Sequence, residues 1–158
     1  MPTWHKHYMD PNRARHMPAA LAQIGAVLQV EVNLPQPLIE FLSEQSKPSP
    51  APSTGMALID TGASKTCVDE TVLANLGINP IGVVSLGTAA GSIERPLFPA
   101  KLSFPEVKLL VDASSVIAVD LRGQTVQDVP LIALVGRDIL RICHFIYDGS
   151  GGFFTLAY

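Results

Sequence analysis

Ala57-Leu58-Ile59-Asp60-Thr61-Gly62-Ala63-Ser64, ALIDTGAS, ends a short apolar run on a carboxylate and follows it with small residues. GMALID (55–60) has the length and flanks of a buried strand, and TGASKT (61–66) reads as a tight turn. A carboxylate at such a strand end is partly desolvated, so its ionisation depends on its neighbours. With a second carboxylate about 3 Å away, both cannot ionise and the pair shares one proton. Such a pair can deprotonate a water and protonate a carbonyl oxygen, which is general acid–base hydrolysis of an amide. Thr61 can anchor the loop by its hydroxyl, and Gly62 lets the backbone approach closely. The tripeptide alone carries little weight, since average composition places it in a chain of this length by chance roughly 3% of the time. An aspartate opening a β-turn after a strand explains an isolated copy equally well. The surrounding chain has to decide.

Upstream, AVLQVEVNL (26–34) sets Val30, Val32 and Leu34 against Gln29, Glu31 and Asn33, the alternation of a half-buried strand. PQPLIEFLSEQ (35–45) suggests a helical turn around residues 38–42. SKPSPAPST (46–54) carries three prolines in nine residues and reads as a surface insertion within one domain. Downstream, Asp69 has the place of an N-cap and Gly77 that of a stop, which predicts a short helix over about 69–76. Residues 82–104 alternate loosely around GTAAGS (87–92), the pattern of a long β-hairpin. VKLLVDASSVIAV (107–119) supplies one or two strands and VPLIALVG (129–136) another buried run. GRDILRIC (136–143) starts a second short helix, and HFIYDGSGGFFTLAY (144–158) closes as a hairpin around Asp148 and Gly149. Half of the ten aromatics lie in these last 15 residues, so this end is expected to pack on the body. Residues 1–17 show no clear period and read as a solvated, flexible arm. His5, His7 and His16 have no cysteine or carboxylate partner at ligand spacing, so no metal site is expected there.

The chain has 158 residues, the size of one domain. Apolar residues make up 47% and charged residues 16%, which excludes an intrinsically disordered chain. Thirteen prolines and 12 glycines favour a turn-rich, β-rich fold over a helix bundle. The net charge of -3 argues against a nucleic-acid partner. No uncharged stretch suits a helical membrane span, and no convincing signal segment is present, so a cytoplasmic protein without a membrane partner is expected. Cys67 and Cys143 do not make a disulfide framework and are read as reduced thiols.

ALIDTGAS, the glycine-containing hairpin around GTAAGS and the later LVGRDIL (134–140) come in a fixed order. That ordered set resembles the retropepsin-like, retroviral-type aspartic peptidases over roughly residues 26–158, with 1–25 as an N-terminal extension. The ending, GRDIL followed by FIYDGSGGFFTL, is similar to the stand-alone bacterial members. The resemblance implies an all-β fold with one or two short helices, a closed β-barrel-like single lobe. It implies an aspartic endopeptidase that uses neither metal nor cofactor and cleaves peptide or protein substrates as a homodimer. Asp60 matches the catalytic position, Thr61 the residue whose hydroxyl grips the partner's loop, and Gly62 the backbone that contacts substrate. The hairpin over 83–98 matches the flap, with Thr88, Ala89, Ala90 and Gly91 at its tip offering N–H groups to an extended peptide. Cys67, Ile132 and Leu134 fall where pocket-lining residues lie, although each could equally be a core residue. Gly136, Arg137 and Asp138 match the structural unit behind the catalytic loop.

The sequence departs from the retroviral pattern at Ser64. An aspartate often stands there and pairs with the arginine of the Gly-Arg unit, so Arg137 must find another partner. The length adds a constraint, because 158 residues leave no room for two lobes of about 100 residues and supply a single Asp-Thr-Gly. A peptidase built this way requires a partner copy. The alternatives are a catalytically silent module of the same fold, serving dimerisation or peptide binding, and an unrelated barrel in which the motif is accidental.

Overall fold

A computed structural model of the chain describes residues 1–10, 15–88 and 91–158. The chain opens with β1 (Thr3–His7), β2 (Met9–Asp10), β3 (Arg15–His16) and helix α1 (Pro18–Ile24). It continues through β4 (Val27–Asn33), α2 (Gln36–Glu44), β5 (Ser53–Ile59), β6 (Cys67–Asp69) and α3 (Glu70–Asn75). β7 (Gly82–Thr88), β8 (Gly91–Phe104) and β9 (Leu109–Val119) follow. β10 (Thr125–Val126), β11 (Val129–Val135), α4 (Arg137–Leu140), β12 (His144–Asp148) and β13 (Phe153–Ala157) complete it.

Six strands close on themselves in the order β11, β5, β4, β8, β9, β6 and back to β11. The closure rests on β11, which runs parallel to β5 through Leu134 opposite Leu58 and Val135 opposite Ile59. On its other edge β11 meets β6 in antiparallel register, Ala133 opposite Val68 and Leu134 opposite Cys67. Closing a sheet removes its open edges, and the alternating strands then share one interior. Val30, Val32, Val68, Leu102, Phe104 and Val116 fill it, none more than 1% exposed. Burial of such side chains is worth about 1.5–3 kcal/mol each. The architecture is the β-rich, closed-barrel single lobe with short helices that the sequence implied.

Local signals hold where they were strongest. Asp69 caps α3, its side chain accepting from the Thr71 N–H, and Gly77 ends the segment at φ +67°. That left-handed backbone favours glycine. α2 runs a full nine residues rather than the single turn expected around 38–42. β6 is only three residues long and lies inside the stretch read as turn and cap. Three residues are too few to show a period.

The amino-terminal segment corrects the expectation of a flexible arm. β1 pairs antiparallel with β13 over five residues, from Thr3 opposite Ala157 to His7 opposite Phe153, and β12 pairs with the other edge of β13. Trp4 packs edge-on against Phe154 at 5.5 Å, while buried Tyr8 donates its hydroxyl to the Gly25 carbonyl at 2.7 Å. Leu21 of α1 is fully buried. Lys6 occupies an inward position and donates its Nζ to the Val27 carbonyl at 3.1 Å, beside Glu106 at 3.7 Å. A charged residue in the inward register is what hid this strand from a hydrophobic pattern.

His5 Nδ1 bonds the Thr155 hydroxyl and the His7 and His16 rings lie 5.2 Å apart. Among the described residues no three histidine, cysteine or acidic side chains cluster as metal ligands. Both cysteines are free. No helix of the described residues is long and apolar enough to cross a membrane.

Candidate active site

Asp60 stands one residue past β5, and its N–H extends the parallel ladder by donating to the Val135 carbonyl at 2.9 Å. Its Oδ1 accepts the N–H of Gly62 at 2.9 Å and of Ala63 at 3.2 Å, the closed Asx-type turn that aspartate favours. Oδ2 accepts nothing from the described residues, and the side chain is half-buried. Thr61 and Gly62 are exposed. A Cβ on Gly62 would stand 3.1 Å from Asp60 Oδ1, so a side chain there would crowd the carboxylate.

The residues before and in α4 carry the loop. A Cβ on Gly136 would lie 2.5 Å from the Lys65 carbonyl carbon and 2.7 Å from the Thr66 nitrogen. Only glycine lets the two backbones pass this closely. The Arg137 N–H donates to the Ala63 carbonyl at 3.0 Å. Its Nη1 donates to the carbonyls of Thr61 at 2.7 Å and Gly62 at 2.9 Å, which answers what partners this arginine in the presence of Ser64. Asp138 Oδ1 accepts the Thr66 N–H at 2.9 Å and hydroxyl at 2.7 Å, as well as the Ile139 N–H at 3.0 Å. The Thr66 hydroxyl oxygen in turn accepts the buried Gly136 N–H at 3.1 Å. Residues 136–138 thus lie directly against residues 60–66.

Thr66 escaped the sequence reading. Its role depends on Asp138, 72 positions away, and the only local signal was a hydroxyl in a turn that must be buried to pass under a glycine.

The expected pocket residues separate into two groups. Cys67 is buried, sits opposite Leu134 in the ladder, and donates its thiol to the Lys65 carbonyl. Burial pushes the Cys67 thiol up, and the charges of Asp60 and Asp138 push it further. It is held as a neutral thiol, the opposite of what a nucleophilic cysteine needs. Leu134 is half-buried and lies opposite Leu58, two residues before Asp60. Ile132 goes elsewhere: it packs into the main core, its Cγ atoms 2.9 Å from where a Cβ on Gly55 would stand. It also borders, with Asp69, Thr71 and Arg122, an open groove of about 340 Å³ that contains none of residues 60–66.

The hairpin of β7 and β8 runs in unbroken register from Gly82 opposite Leu97 to Thr88 opposite Gly91. Val84, Leu86, Ile93 and Leu97 share one face with Arg95 by alternation, and Ser85, Ser92 and Glu94 share the other with Val83 and Pro96. The Ser85 and Ser92 hydroxyls bond each other across that second face. Ala89 and Ala90, expected at the tip, lie outside the described residues, as does the Thr88 side chain.

No family model matches the chain, and no curated protein does. Among solved structures it is similar to the protease of simian foamy virus (mac), determined in solution, at 16% identity and a TM-score of 0.44. The match covers 73% of this chain and 92% of that one. A likeness at this identity concerns the fold alone.

Proposed function

We propose that this chain is an aspartic endopeptidase of the retropepsin-like, stand-alone bacterial type, active as a homodimer with Asp60 of each protomer at the shared site. The observation that carries the proposal is the Asp60 loop: a half-buried carboxylate oriented by two N–H donors through Oδ1, with Oδ2 left for chemistry. One chain supplies one such group, and the reaction needs two. In the pair, one carboxylate takes a proton from a water held between them while the other, protonated, donates to the carbonyl oxygen of the scissile amide. The oxygen of that water bonds to the carbonyl carbon to give a gem-diol. The C–N bond then breaks as the first carboxylate passes the water's proton to the amine nitrogen and a diol hydroxyl returns its proton to the second.

The neighbours have consistent roles. The Thr61 hydroxyl, on an exposed loop, would bond the partner's copy of the loop, and the Gly62 backbone would meet the substrate chain. Leu134, Cys67 and the Leu86 and Ile93 pair of the β7–β8 hairpin favour apolar side chains on either side of the cut. Thr88, Ala89, Ala90 and Gly91 would close over the peptide as the flap tip.

The deciding experiment incubates the purified chain with apolar-rich peptides between pH 4 and 7, alongside Asp60→Asn. Cleavage by the wild type and its loss in Asp60→Asn are expected. Cleavage that survives Asp60→Asn, or none by the wild type across this range, overturns the proposal. Peptide bound and recovered uncut assigns a silent binding module instead.

A further inference from the structure

We propose that Arg137 is the positioning residue of the Asp60 loop, acting on the carboxylate through the two peptide units that flank Gly62. The two carbonyls that Arg137 Nη1 bonds belong to peptide units 61–62 and 62–63. The N–H groups of those same two units, on Gly62 and Ala63, are the donors to Asp60 Oδ1. In a trans peptide the C=O and N–H point opposite ways. The guanidinium therefore holds both units from one side, and the carboxylate holds them from the other.

Two consequences follow from this arrangement. The only soft torsions between the two units are φ and ψ of Gly62, the residue type with the greatest backbone freedom. A single nitrogen bonded to both carbonyls fixes those torsions, and with them the direction of both N–H groups. A cation on each C=O also polarises the N–H of the same unit, since hydrogen bonds in series strengthen one another. Bonds from a charged donor are the stronger kind. With Ser64 where a carboxylate would compete for the guanidinium, Arg137 is committed to the loop carbonyls. Its side chain is exposed, so packing does not account for its fixed position.

The test compares wild type, Arg137→Met and Arg137→Lys by amide NMR, with sedimentation run on each to fix the fraction of dimer. In Arg137→Met the Gly62 and Ala63 amide protons are expected to move upfield and exchange about tenfold faster, while β4 and β8 amides keep their protection. Arg137→Lys, which keeps a cationic donor, restores part of that protection. Gly62 and Ala63 amides unchanged in shift, and in exchange within about twofold, would overturn the proposal. A second arm rests on the peptidase reading: at equal dimer fraction, kcat of Arg137→Met falls about tenfold or more with KM changed less than about threefold. An unchanged kcat in an active enzyme would also overturn it. A wild type that cleaves nothing defeats the peptidase reading alone, and the amide result then decides the role of Arg137.

Discussion

Thr66 gives both its backbone N–H and its hydroxyl to one oxygen of Asp138, at 2.9 and 2.7 Å, while its hydroxyl oxygen takes the N–H of Gly136. Thr66 is fully buried, so this exchange proceeds away from water. Thr66→Val keeps the shape and removes the hydroxyl. It deletes a bond to a carboxylate and leaves the Gly136 N–H buried without a partner, at a cost of about 3 kcal/mol. Urea unfolding measures this, and a loss below about 1 kcal/mol would mean the pair is incidental.

Gly136 and Gly82 make a matched contrast. A Cβ on Gly136 would meet backbone atoms of Lys65 and Thr66 at 2.5 to 2.7 Å, and backbone cannot rotate aside. A Cβ on Gly82 would meet nothing within 4 Å. Gly136→Ala is expected to cost at least about 2 kcal/mol. Gly82→Ala should stay within about 0.5 kcal/mol of wild type. On the proposed peptidase reading the first should also reduce kcat, because displacing Lys65 and Thr66 moves the loop that carries Asp60.

Asp69 supplies a pH dependence with a definite sign. Burial works to raise its carboxyl, but the Thr71 hydroxyl and the N–H groups of Leu121, Thr71 and Val72 more than reverse this and hold it below the usual carboxylate range. The Leu121 N–H reaches Oδ2 at 2.8 Å, and the Thr71 N–H reaches Oδ1 at 2.9 Å. A depressed folded value means the stabilisation is complete above the ordinary aspartate value of about 3.9 and is lost as pH falls through the lower folded value. Stability measured by denaturant between pH 6 and 2 should therefore fall less steeply at the acid end in Asp69→Ala than in wild type. At pH 7 the same variant should be roughly 2 kcal/mol less stable. Parallel wild-type and variant curves across the acid range would refute the assignment.

What the sequence disclosed follows from where the determining contacts lie. Asp60, Thr61 and Gly62 are contiguous, and the turn they build is closed by hydrogen bonds within three residues, so a local reading reached it. Asp69 and Gly77 punctuate α3 for the same reason. The hairpin was legible because its partners are near in sequence, although it closes over residues 82–97 and the end of the expected 82–104 stretch pairs with β9 and β4 instead. The support of the loop was not, since Thr66 and Arg137 act across more than 70 positions and neither belongs to a periodic run. Ile132 and Leu134 sit two apart on one strand, yet a shift in register between Leu131 and Ala133 sends the first into the core. Strict alternation cannot foresee a bulge.

The amino-terminal strand was hidden most completely, and it yields the sharpest test of how the fold is held. β1 has Trp4 as its one large apolar inward residue and Lys6 as the other inward position. Its partner strand lies about 150 positions away. Trp4 meets Phe154, which is fully buried, and Lys6 reaches the Val27 carbonyl beside Glu106. Trp4→Ala removes an aromatic contact and opens a path to Phe154, with an expected loss of about 2–3 kcal/mol, below the cost for a fully buried ring because Trp4 is half-exposed. Deleting residues 1–8 goes further, since it also strips Tyr8 from the core and bares one edge of β13. Native-state hydrogen exchange should then show Phe154 and Leu156, whose N–H groups face β1, losing protection while the barrel strands β4 and β5 retain theirs. If the deletion leaves β13 protected and the unfolding midpoint unmoved, the segment is a removable arm after all.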